Sequence, residues 1–240
     1  ALDVRKRRRT SPESELWLKA RADRLAGKAT VEERGSIGDL FSNKQYAIPF
    51  IALMIFYIGT NVPANTLGQF STWVATNIPQ IGISVSTASL ICMLVYPARA
   101  LLDFVFMKFV DTDKRMPLFY IGAALYLLGF AMFPIFGFSA VTFVLTQLLY
   151  CCGAAFAFES ILKVWMQECF PTLLRTTANG SIVFVSRLCC AIFGLFTASI
   201  VAFNATFAFT LLAIFCAIGF LAAILCFRNK RYNTFENEEK

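Results

Sequence analysis

The sequence predicts an all-α membrane protein built as a six-transmembrane-helix bundle. Apolar runs of about 20 residues recur along it, the length that crosses a hydrocarbon core of roughly 30 Å. The chain is 58% hydrophobic and only 15% charged, with a mean hydropathy of +0.63, more apolar than a soluble domain of 240 residues. The charge is also clustered. Eleven of the 22 Lys and Arg fall in residues 1–46, and eight more in 108–117, 168–175 and 228–240. The intervening loops near 71–83, 137–140 and 202–205 carry no charged residue. Positive charge marks the cytoplasmic side, so both ends of this chain are expected there, in a multi-pass protein of the cell membrane.

The elements follow in order. Residues 1–46 read as a cytoplasmic linker with short amphipathic helices. The run Arg5-Lys6-Arg7-Arg8-Arg9 fits the positive flank of a preceding membrane helix better than a nucleic-acid signal. Ser14 to Ala29 has helical spacing, and Thr30-Val-Glu-Glu33 fits a capping box. Residues 47–227 form the transmembrane bundle, and 228–240 a charged cytoplasmic tail.

The first span, about 47–70, is interrupted by Gly59, Asn61, Pro63 and Asn65. Proline removes a backbone hydrogen bond, and broken helices often line solute paths in carriers. A plain kink, with Asn bonding a neighbouring helix, is the alternative. Asn61, Asn65 and Gln69 recur every four residues on one face, which favours lining.

The second span, about 84–109, holds Arg99 and Asp103 one turn apart, read as a structural or gating pair towards the cytoplasmic end. The third is about 117–136, with Gly122, Gly129 and Pro134. The fourth, about 140–166, carries Glu159 and Lys163; the fifth, about 176–201, carries Arg187 near mid-membrane; the sixth is about 205–227.

Charge inside a membrane is costly, roughly 2.5–3.5 kcal/mol per residue on insertion scales, so these side chains are candidate site residues. Glu159 and Lys163 admit three readings: an i,i+4 ion pair, a site for solute hydroxyls or a carboxylate, and a coupling site in which Glu159 takes up a proton. Arg187 either pairs with Glu159 or recognises an anion.

Other classes are excluded. There is no His, no nucleophile beside a base and no Gly-rich phosphate loop after a strand, so an enzyme reading has no support. Eight cysteines without a CxxC spacing read as small packing residues, and no metal or cofactor is expected. The net charge of +7 belongs to loops, so no nucleic-acid partner is implied.

Glu168-Cys-Phe-Pro-Thr-Leu-Leu-Arg-Thr-Thr-Ala-Asn-Gly180 resembles the segment between helices ten and eleven of sugar-porter carriers in the major facilitator superfamily. Glu168, Phe170, Pro171, Arg175, Ala178 and Gly180 carry the match. Pro12-Glu-Ser-Glu-Leu-Trp-Leu18 resembles the Pro-Glu-Ser-Pro-Arg-Trp-Leu signature after helix six, with Glu15 and Leu16 departing. Asp111-Thr-Asp-Lys-Arg-Met-Pro117 resembles the Asp-Arg-x-Gly-Arg-Arg turn between helices eight and nine, matching at Asp111 and Arg115.

The resemblance implies one half of a major facilitator fold, helices seven to twelve as two inverted three-helix repeats, with the other six-helix bundle preceding Ala1 as partner. It assigns Asp111, Arg115, Glu168 and Arg175 to a cytoplasmic gate, to which Arg99 and Asp103 are added by position. It also implies the function: a secondary transporter of a small polar metabolite in a lipid bilayer, by alternating access and with proton symport. Two hexose features are replaced. Ile55 and Phe56 stand where hexose carriers have Gln-Gln, and Glu159-Ser-Ile-Leu-Lys163 where they have Gly-Pro-x-Pro-Trp. The solute is therefore expected among polyols, sugars or sugar acids, closer to polyol carriers than hexose carriers. The alternative is a self-contained six-helix channel subunit or assembly scaffold.

Overall fold

A computed structural model describes residues 37–110, 112 and 114–228. The Pro12–Leu18 motif, the helix and capping box expected at 14–33, Asp111 and the tail past Arg228 lie outside the described residues. Eight helices are found among the described residues: α1 (Ile37–Ser42), α2 (Lys44–Asn77), α3 (Val85–Phe109), α4 (Arg115–Phe136), α5 (Ala140–Ala157), α6 (Glu159–Cys169), α7 (Thr172–Phe203) and α8 (Ala205–Phe227). With α5 and α6 taken as one span, six are long and apolar enough to cross a membrane.

Short polar caps start these helices. Asn43 accepts the Gln45 amide, Ser84 the Thr87 amide and Asn204 the Phe207 amide, each satisfying one of the orphan donors of a first turn. Ser139 and Thr142 form a reciprocal capping box. Uncharged caps allow tight turns without bringing charge to the 78–84, 137–139 and 204 connections.

Two spans differ from the sequence reading. The first continues to Asn77, so the uncharged loop expected at 71–83 begins only at Ile78. Ser71 to Asn77 holds no Gly or Pro, and the helix ends where Pro79 pushes Ile78 out of the helical region, to φ −96 and ψ 105. At about 1.5 Å per residue α2 is roughly 50 Å long, more than a hydrocarbon core needs.

The expected interruption also lies elsewhere. α2 runs unbroken through Pro63, whereas the fourth span breaks at Phe158 (φ −127, ψ −114), between α5 and α6. Pro63 frees the Gly59 carbonyl one turn back, and two neighbouring helices close on this stretch of α2. Tyr126 on α4 donates its hydroxyl to the Thr60 carbonyl at 2.7 Å, and Gly59 lets α8 come against the backbone of α2.

Helix pairing shows the repeat. α2 packs on α7 and α8, α5 packs on α3 and α4, and α4 packs on α8. Exchanging α2 with α5, α3 with α7 and α4 with α8 maps this pattern onto itself, as two three-helix repeats require. The chain is a six-helix half of a major facilitator fold.

Glycine sets the tightest contacts. Gly59 faces Gly219 across α2 and α8, and Gly122 and Gly129 abut α5 at Gly153 and Tyr150. Small residues at these points let helix backbones meet, which replaces the hydrophobic drive that lipid cannot provide. Around them lies an aromatic core. Phe56, Phe119 and Trp165 meet at centroid separations of 5.1–6.2 Å, and Trp165 stacks on Phe227 at 4.4 Å. Phe56 is fully buried there, so the replacement of the second Gln of the hexose pair is a packing change, while Ile55 is exposed.

Candidate functional site

The break at Phe158 gathers the polar groups of the bundle. Phe158 caps α6 with no side-chain hydrogen bond, and Glu159 follows as the first helical residue, where an acid is favoured by the helix dipole. Tyr57 on α2 stacks on Phe158, with centroids 6.0 Å apart and planes 24° apart. Its hydroxyl donates to Glu159 Oε1 at 3.5 Å and lies in the field of Arg187 as well. From α3, the Arg99 guanidinium sits over the Phe158 ring at 5.7 Å, and Asp103 Oδ1 accepts the Ser160 hydroxyl at 3.3 Å. Arg99 Nε and Asp103 Oδ2 are 3.9 Å apart, and Asp103 lies in the field of Glu159 and Lys163. Two other helices, α2 and α3, therefore bring polar or charged groups to residues 158–160.

This geometry regroups the residues expected from sequence. Glu159 and Lys163 do not form the i,i+4 ion pair: Tyr57 takes up the carboxylate, and Lys163 projects to an exposed face. Among the described residues, the ion pairs are Arg99–Asp103 and Arg115–Glu168, so Arg187, also exposed, does not pair with Glu159. Arg99 and Asp103 stand at the break, apart from the residues with which the sequence grouped them.

Asn61, Asn65 and Gln69 do share a face, but with graded exposure. Asn61 is buried and donates to Ser186 on α7 at 2.9 Å, Asn65 is half-buried, and Gln69 is exposed and donates to Asn65 at 2.9 Å. The line begins as interhelical glue and opens one turn later.

At the end of the bundle that carries the 110–114 and 170–171 connections, Arg115 and Glu168 form a two-pronged pair joining the start of α4 to the end of α6, with the second bond at 3.2 Å. Their side chains are 11% and 21% exposed, so water screens the pair only in part. Arg175 donates to the Phe170 carbonyl from Nε at 3.3 Å and to the Gln167 carbonyl at 3.0 Å, fastening the turn at Pro171. Arg175 thus closes the end of α6, where carbonyls lack helical partners.

Several site residues escaped the sequence. Tyr57, Phe158, Ser160 and Ser186 carried no charge or motif to single them out. The adjacency of Phe158-Glu159-Ser160 to Glu159 was the available signal, since an acid followed by Ser at mid-span fits a helix start better than a helix interior.

This architecture, a half-bundle with a discontinuous helix and charged groups at its break, is that of a membrane carrier. The chain belongs to the sugar (and other) transporter family, whose profile matches residues 1–239. It is similar to the minor myo-inositol transporter IolF of Bacillus subtilis (strain 168), at 27% identity over 195 residues, covering 79% of this chain and 43% of that protein. The chain therefore spans less than half the length of this relative. The family is one of transporters, not enzymes, and the chain is a multi-pass membrane protein.

Proposed function

We propose that this chain is the C-terminal half of a secondary transporter that moves a polyol, sugar or sugar acid by alternating access with proton symport. The observation that carries the reading is the convergence of Tyr57, Arg99, Asp103, Glu159 and Ser160 on one helix break, with exposed Lys163 one turn on. Such polarity inside a membrane span is costly unless it faces a solute path or a partner bundle. The relative named for myo-inositol favours a polyol. A ring of hydroxyls matches a site with both acceptors, at Glu159, and donors, at Tyr57, Lys163 and Arg187.

In this reading residues 1–46 are the cytoplasmic linker between two bundles, 47–227 the second bundle and 228–240 the tail, with both ends of the chain cytoplasmic in the cell membrane. Asn65, Gln69, Glu159, Lys163 and Arg187 face the solute, and Asn61 braces them through Ser186. Arg115, Glu168 and Arg175, with Asp111, form the cytoplasmic gate. Glu159 is the proton-coupling group. The family membership favours a carrier over a channel subunit or scaffold.

Uptake of labelled myo-inositol, a hexose and a hexonic acid by the intact transporter, measured from acid to neutral external pH, tests this reading. The expected result is polyol uptake driven by an inward proton gradient, with Glu159→Gln abolishing gradient-driven accumulation but retaining exchange. Gradient-driven accumulation by Glu159→Gln would remove the coupling role. Absence of uptake of all three solutes would remove the solute class.

A further inference from the structure

The α5–α6 break is held from two sides, and the α3 side has a separate consequence. On α2, Tyr57 touches Phe158 and Glu159, the residues at the break and just after it. On α3, Arg99 covers Phe158 and Asp103 accepts from Ser160, the second residue of α6. Around these two charged residues α3 is otherwise strongly apolar and exposed, at Leu94, Leu101, Phe104 and Met107. A pair of opposite charges placed in such a surface is costly, and among the described residues its hydrogen-bond partner outside α3 is the first turn of α6.

We propose that Asp103 is a positioning residue for the solute site: through Ser160 it sets the angle at which α6 leaves the break, and so places Glu159 and Lys163. Arg99 balances its charge, leaving the Asp103 carboxylate as an acceptor for Ser160 rather than a repulsive neighbour of Glu159. The lever is direct. α6 rises about 1.5 Å per residue, so a 10° change at the break moves position 163 by roughly 1 Å and the far end of α6 by roughly 3 Å. A displacement near 1 Å is enough to degrade a polar site that must be held to about 0.5 Å. This inference rests on the reading of Glu159 and Lys163 as solute-facing.

The test uses the intact transporter carrying Ser160→Ala, Ser160→Thr, Asp103→Ala and the Ser160→Ala/Asp103→Ala double substitution. KM and maximal uptake per membrane-inserted molecule are measured for myo-inositol. In parallel, the rate of thiol modification at Lys163→Cys is read by peptide mass spectrometry, with and without Ser160→Ala, so that the eight native cysteines do not interfere. Ser160→Ala is expected to raise KM about 2- to 12-fold, the equivalent of one lost hydrogen bond, with a smaller change in maximal uptake. The double substitution is expected to be no worse than Asp103→Ala, Ser160→Thr to restore KM within about twofold, and Ser160→Ala to change the modification rate at position 163. Unchanged modification at position 163, or KM effects that multiply in the double substitution, would overturn the proposal. If Glu159→Gln and Lys163→Gln leave KM unaltered while modification still responds to Ser160→Ala, the solute-facing reading falls and the positioning of α6 by Asp103 stands.

Discussion

Replacing Gly59 by Ala tests how the bundle is held together. A methyl group at position 59 would lie 2.5 Å from the Phe215 carbonyl oxygen, 2.8 Å from Gly219 Cα and 3.0 Å from Gly219 N. All three are backbone atoms of α8, so no side-chain rotation can relieve the contact, and the α2–α8 axes must separate by roughly half an ångström or more. Overpacking of this kind costs about 1–3 kcal/mol. The better helix propensity of Ala returns up to about 1 kcal/mol, leaving a net loss near 1–2 kcal/mol. That is a 5- to 30-fold fall in the folded/unfolded ratio of a two-state bundle. The reciprocal change, Gly219→Ala, meets Phe56 O at 3.1 Å and Gly59 Cα at 3.2 Å, and should cost less. Gly194→Ala on α7 meets none of the described residues within 4 Å and should be neutral or slightly stabilising. The assay is thermal unfolding of the purified transporter in detergent, followed by monodispersity against temperature. The expected order of midpoints is Gly59→Ala below Gly219→Ala below wild type, with Gly194→Ala at or above wild type. A Gly59→Ala protein with the wild-type midpoint would refute the claim that backbone contact between α2 and α8 limits the packing.

Arg115→Ala should destabilise the bundle by about 1.5–3 kcal/mol, because it removes the charge-assisted hydrogen bonds to Glu168 in a site that water reaches only in part; Arg115→Met/Glu168→Leu together should recover most of the loss, and the same detergent melts report both. Asn61→Leu should cost about 1–3 kcal/mol by leaving the Ser186 hydroxyl without its donor, whereas Asn61→Leu/Ser186→Ala should come near neutral, which a double-mutant cycle on melting midpoints checks. Arg175→Ala should lower maximal uptake more than it raises KM, because the side chain braces the α6–α7 turn through the Phe170 and Gln167 carbonyls; uptake kinetics with the opposite split would count against a gating role. Tyr57→Phe should raise KM a few-fold while keeping the Phe158 stack, since it removes one long hydrogen bond to Glu159 and leaves the ring, as measured by uptake at fixed pH.

The parts of this fold legible in the sequence are those set by the bilayer. Span number and approximate placement follow from apolar length, because every buried backbone group must bond within its own helix and any break in apolarity shows. What was not legible depends on one helix meeting another. Pro63 is a strong local breaker, yet α2 passes it unbroken, in a stretch where α4 and α8 both close on its backbone through the Tyr126–Thr60 hydrogen bond and the Gly59–Gly219 contact. Phe158 is no breaker in isolation, yet the fourth span breaks there, where a Tyr57 stack and an overlying Arg99 come from two other helices. Local propensity was right about the price of a proline and silent about which helix would receive support.

The same distinction separates the two ends of the Glu159–Gly180 stretch. From Glu168 onward the residues act on their own neighbourhood: Arg175 reaches back eight positions to Gln167 and five to Phe170, so spacing alone conveys the arrangement. At Glu159 the partners lie 102 positions away at Tyr57, and those of Ser160 57 away at Asp103. Sequence spacing on one helix suggested Glu159 with Lys163, since residues four apart share a face. Both residues lie on α6, but the Glu159 carboxylate accepts from Tyr57 on α2 while Lys163 is exposed. In the proposed reading, a mid-span cation whose helical neighbour is engaged elsewhere is the group offered to a solute, and the tertiary partner on α2, 102 positions away, is what spacing on one helix could not convey.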